Sequence, residues 1–163
     1  MSYHWLRKLL FYAAVISFFG GCDPGISYHP EGWGSSGQEG RWQRSFGDLE
    51  IVASEIFGFA GSESLSIEFV VINHSSLAVT LESAILVGRT ESATAKIAED
   101  GKGRRLIAQP GASKEMGLYL EFKDSVGEVL GKSPRLTLNF NEGGRTRVIE
   151  IIYAREPIER HIF

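Results

Sequence analysis

Cys22 is the only thiol in this 163-residue chain, and His4, His29, His74 and His161 are its only imidazoles. Nucleophilic catalysis needs a serine or cysteine beside a base, and no GxSxG spacing occurs. His74 lies in the run Asn73-His74-Ser75-Ser76, whose residue types make turns by bonding their own backbone, so it reads as a turn residue and not a general base. Glu99 and Asp100 adjoin Lys102, Arg104 and Arg105, a mixture of signs that suits a solvated loop better than an acid/base pair. A soft metal ion needs several converging ligands, whereas after Cys22 the chain offers only His29, His74, His161 and Met116, with no HxH, MxxM or CxxC spacing. The glycines of NEGGRTR suit a hairpin turn, lacking the strand-to-helix context of a phosphate loop. No catalytic residue, metal ligand or cofactor site is therefore expected, and Cys22 is the one position whose surroundings suggest a reaction.

Those surroundings are the segment MSYHWLRKLLFYAAVISFFGGC. Arg7 and Lys8 form a short positive region, and Leu9 to Phe19 is an apolar and aromatic run of eleven residues that ends at Gly20-Gly21. A spanning helix needs roughly 20 apolar residues, while about 10–14 suits the apolar region of a signal peptide. Small residues at its end let a peptidase approach the backbone, and cutting there leaves Cys22 first. The segment resembles a bacterial lipoprotein signal, in which small residues immediately precede a lipid-modified cysteine. Gly20, Gly21 and Cys22 fit that pattern, and Phe19 stands where the family usually has leucine. The resemblance implies export, a diacylglyceryl group on the Cys22 thiol and cleavage before it. In enterobacterial lipoproteins an aspartate beside the modified cysteine keeps the protein in the inner membrane, so Asp23 implies an anchor on the periplasmic face of that membrane.

Removing residues 1–21 as a signal peptide takes Arg7 and Lys8 from 17 basic residues and none of the 20 acids, leaving 15 against 20, a formal charge of −5. With a pI near 5.8 and no Lys/Arg run, the chain lacks the footprint that nucleic-acid binding needs. Its acyl chains, and not a basic patch, must hold it to the membrane. With its one thiol acylated it has no disulfide, so the domain must rest on its core alone. Residues 22–45 are rich in glycine and carry two prolines without apolar periodicity, and they read as a lipidated N-terminus with a flexible tether. Trp33 and Trp42, the only tryptophans after Trp5, fall in that stretch as candidate partner or membrane contacts. Packing of Trp42 onto the domain edge is the plainer alternative.

From Phe46 onward the apolar period is two, the spacing of strands. Leu49 and Ile51 share a face, as do Leu65, Ile67, Phe69 and Val71 of a central strand. Val79, Leu81, Ile85 and Val87 share parity in a long third strand that Ser83 or a bulge interrupts, and Ala93, Ala95 and Ile97 form a short edge strand. Leu118, Leu120 and Phe122, then Leu136, Leu138 and Phe140, then Ile149, Ile151 and Tyr153 complete the set. Between them DSVGEVLGKSP predicts one helical turn, with Asp124 or Ser125 as N-cap and Gly131 as stop.

Seven or eight strands without a helix of useful length predict an all-β fold, an immunoglobulin-like antiparallel β-sandwich over residues 46–163. The resemblance to small immunoglobulin-like envelope lipoproteins is one of strand pattern, because the cysteine pair and the later tryptophan of immunoglobulin domains are missing. Two functions fit these expectations. One is a non-enzymatic envelope lipoprotein that binds a protein partner through a sheet edge or loops. The other is a carrier or sensor holding a small ligand between the sheets, in a cavity lined by Phe69, Phe122 and Phe140.

Overall fold

The computed structural model describes residues 25–97 and 106–156. The signal segment, Cys22 and Asp23 lie outside them, as do Glu99, Asp100, Lys102, Arg104, Arg105 and His161. Thirteen strands and one short helix are found among the described residues. In chain order they are β1 (Gly25–Pro30), β2 (Gly34–Ser35), β3 (Arg41–Phe46), β4 (Leu49–Ser54), β5 (Ile56–Phe59), β6 (Ser64–Asn73) and β7 (Val79–Val87). There follow β8 (Ser92–Thr94), β9 (Lys96–Ile97), β10 (Ile107–Ala108), β11 (Ser113–Glu121), α1 (Val126–Leu130), β12 (Arg135–Glu142) and β13 (Arg145–Glu156).

Two antiparallel sheets form a sandwich. One has the order β10-β7-β12-β13-β1-β5 with β8 also on β7, and the other β2-β3-β4-β6-β11-β9. Within them β4-β6-β11-β9 faces β7-β12-β13, the ABED and CFG arrangement of an immunoglobulin domain. These seven strands are the ones that alternation marks in the sequence. Their inward side chains make one continuous core, including Phe69, Leu118, Leu138, Phe140 and Ile151. The β12–β13 hairpin turns on Gly143 and Gly144, both at positive φ, which is what a tight hairpin demands and what their neighbours could not supply. The helix α1 starts after Ser125 and stops at Gly131 as expected, although Ser125 makes no side-chain cap bond. Backbone contact seats it, since a Cβ on Gly88 would lie 2.3 Å from the Val129 carbonyl oxygen.

Three expectations are corrected. The stretch 25–45 is no tether, because β1 lies between β13 and β5 and the β2–β3 hairpin extends the other sheet. Ile26 and Tyr28 are fully buried, and the Tyr28 hydroxyl donates to the Gly131 carbonyl at 2.8 Å. Gly47, at φ 66°, makes the two-residue turn between β3 and β4, so glycine there encodes a sharp reversal and not a loose chain. The parity of β7 is also corrected. Opposite β12 the register steps from Asn139–Ser83 to Phe140–Leu81, a bulge that absorbs Glu82. Beyond it the inward residues are Ala84 and Leu86, while Val87 turns to solvent. The expected edge strand is likewise two strands, β8 pairing with β7 and β9 with β11, so the chain crosses between sheets at Ala95.

Candidate binding surface

The outward residues of β7, β12 and β13 form three cross-strand rows. They are Ser83–Asn139–Val148, Ile85–Thr137–Glu150 and Val87–Arg135–Ile152. A fourth row, Thr80–Asn141–Thr146, is continued by Ile107 of β10. The solvent face of an antiparallel sheet is ordinarily polar. Here Val148 is 57% exposed, Val87 44%, Ile152 40% and Ile107 37%. The polar members are short and internally matched, for the Asn139 amide donates to Ser83 Oγ at 2.9 Å and Arg135 lies 3.9 Å from Glu150. An exposed ion pair at that distance contributes little to stability. The result is a face on which the aliphatic side chains of Val87, Ile107, Val148 and Ile152 stand exposed among mostly uncharged polar residues and one Arg–Glu pair.

The residues singled out in the sequence fall elsewhere. Trp42 stacks on His29, with ring centroids 5.7 Å apart, and Trp33 tilts against Phe46 at the same separation. The first contact joins β3 to β1 across the two sheets, and the second packs Trp33 with Phe46 against the core. His29 Nδ1 is 2.9 Å from Glu156 Oε1, within ion-pair range but not aligned as a hydrogen bond. Ser27, two residues away, donates its hydroxyl to Glu55 and so directs its proton to a carboxylate and not to the imidazole. His74 is exposed and 3.4 Å from Glu50, at the end of the turn that buried Asn73 organises by donating to the carbonyls of Leu77 and Ala108 and accepting from the Ser75 amide. Met116 is buried in the core. Among the described residues no three His, Cys, Asp or Glu side chains come together as a metal site. Phe69, Phe122 and Phe140, the rings expected around a ligand cavity, all belong to the continuous core.

At one end of the sandwich Arg147 clamps the two sheets. Its guanidinium lies 2.6 Å from Asp48 and 2.7 Å from Glu142, and it also donates to the Phe46 carbonyl. The hydrogen bond from Arg147 holds the Asp48 carboxyl below the usual carboxylate range. This clamp fixes the β3–β4 turn to the β12–β13 hairpin, and so holds the end of the aliphatic face in register.

The aliphatic face was hidden in the sequence by the bulge. Ile85 and Val87 share parity with Val79 and Leu81, and only the extra residue Glu82 separates surface from core. Val148 and Ile152 did leave a signal, for they are out of phase with Ile149, Ile151 and Tyr153.

No protein-family model matches the chain, and no curated protein matches it. Solved structures do. A functionally unknown protein from Listeria monocytogenes EGD-e is 14% identical with a TM-score of 0.50, over 86% of this chain and 90% of that one. The GAE domain of GGA2p from Saccharomyces cerevisiae is also 14% identical, with a TM-score of 0.42 over 72% of this chain and 97% of that one. The yeast GGA1 GAE domain, at 16% identity, has a TM-score of 0.40 over 72% and 98%. At these identities the likeness is one of fold: an antiparallel β-sandwich.

Proposed function

We propose that this protein is a cell-envelope lipoprotein, acylated at Cys22 and held at the periplasmic face of the inner membrane, whose sandwich binds a protein partner without catalysing a reaction. The observation that carries the binding is the uncovered aliphatic face of β7, β12 and β13. Val87, Val148 and Ile152 suit a strand by their β-branched shape, and their burial against a partner would return roughly 25 cal/mol for each Å² removed from water. Acylation rests on the position of Cys22 after the apolar run and Gly20-Gly21. Neither part needs a cofactor.

The test is affinity capture from native membranes with the lipidated protein, comparing the natural chain with Val148→Asp and Ile152→Asp. Both positions are exposed, so the variants should keep the melting temperature of the natural protein. A charge placed at the centre of a contact should weaken capture of the co-purifying protein by about tenfold or more. Tyr119→Asp, on the outer face of the other sheet, should leave capture unchanged. Equal capture by all three variants would show that the contact lies elsewhere.

A further inference from the structure

A second exposed apolar feature lies at the far edge of the same sheet. Phe57 and Phe59 of β5 are 58% and 56% exposed, and their rings meet edge to face at 5.8 Å. The register places them beside the point where the chain enters the fold, since Gly25, the first residue of β1, pairs with Phe59 and Ser27 pairs with Phe57.

We infer that Phe57 and Phe59 contact the bilayer and seat the domain directly on the membrane, an inference that rests on the acylation of Cys22 proposed above. Cys22 precedes Gly25 by three residues, which span at most about 11 Å when fully extended. Paired residues of antiparallel strands have Cα atoms about 4.5–5.5 Å apart, so the Cα of Phe59 lies within roughly 16 Å of the Cα that bears the acylated thiol. An anchor that short keeps both rings close enough to reach the lipid headgroups. Of the carboxylates beside β1, Glu55 accepts from the Ser27 hydroxyl and Glu156 lies 2.9 Å from His29 Nδ1. A mature chain of formal charge −5 is not drawn to anionic lipid by its net charge, so the contact that orients it is apolar.

The rings project from the same side of the sheet as Val148 and Ile152, so the two features are separated by distance along and across the strands. Glu156 pairs with Ser27 at the membrane end of the sheet, and β13 runs back from it. At about 3.4 Å per residue Ile152 lies roughly 14 Å and Val148 roughly 27 Å along the strand from Glu156.

Once Cys22 is acylated the mature chain has no other thiol, so Phe59→Cys and Val148→Cys each take a single fluorescent label. The acylated, labelled proteins are placed in vesicles of phosphatidylethanolamine and phosphatidylglycerol that contain nitroxide-bearing lipid. The label at 59 should be quenched by the nitroxide and lose its quenching by aqueous iodide, and the label at 148 should do the reverse. If both labels are equally open to iodide while the N-terminal peptide carries its acyl groups, the seating is wrong and the lipoprotein reading stands. If that peptide carries no lipid and the protein leaves the membrane fraction, both readings fall.

Discussion

Tyr153 is the largest polar liability in the core. Its ring is fully buried and its hydroxyl has no hydrogen-bond partner among the described residues, whereas Tyr28, on the neighbouring strand, spends its hydroxyl on the Gly131 carbonyl. Removing an unsatisfied buried hydroxyl relieves a desolvation penalty, while removing a satisfied one strands an acceptor. Tyr153→Phe should therefore leave stability unchanged or raise it by about 1 kcal/mol, and Tyr28→Phe should lower it by about 1 kcal/mol, both measured by denaturant unfolding. Burial also pushes the Tyr153 phenol well above its ordinary value of 10.0. The folded state then keeps a proton that the unfolded state releases, so this contribution to stability is intact below pH 10 and is lost as pH rises beyond it. Its slope is at most about 1.4 kcal/mol per pH unit for one tyrosine. The alkaline decline should be shallower in Tyr153→Phe, and an identical decline would mean that the ring is not sealed from water.

Among the elements, β1 decides where the folding unit begins. It lies between β13 and β5 and delivers Ile26 and Tyr28 to the core. Truncating one buried side chain of that size costs about 2–5 kcal/mol, and total stabilities are about 5–15 kcal/mol, so losing both along with two strand ladders leaves little. A fragment of residues 46–163 should show no cooperative thermal transition, whereas 23–163 should melt cooperatively, and matching transitions would restore the boundary at Phe46. Alternation placed the seven immunoglobulin-type strands because each buries one face only. It failed on β1, where the consecutive residues Ile26, Ser27 and Tyr28 are all buried and no period of two can register. It failed on β3 because Arg44 shares a face with Trp42 and Phe46 and masks the repeat. It could not reveal the exposed aliphatic residues of β7 either, since a one-residue bulge exchanges surface for core without altering the apolar content of the strand.

At the scale of the whole molecule, loss of the tether changes what the anchor does. An arm of about 22 flexible residues would reach roughly 25 Å and let the domain sample every orientation. With Cys22 acylated as proposed, the two residues between it and β1 would hold the domain at the membrane, so its accessible partners would be those that present a surface close to the same bilayer. Confinement to that layer raises their effective concentration, and a modest aliphatic contact suffices for occupancy. The anchor then has to be the right one in the right membrane, which Cys22 and Asp23 would decide. Cys22→Ser should abolish labelling by radioactive palmitate and release the protein from the membrane fraction. Asp23→Ser should keep the label and move the protein from the inner to the outer membrane. Undiminished palmitate labelling in Cys22→Ser would remove the basis for acylation at that thiol. Outer-membrane fractionation of the natural chain would leave acylation standing and overturn the sorting role of Asp23, and with it the expectation that the partner resides in the inner membrane.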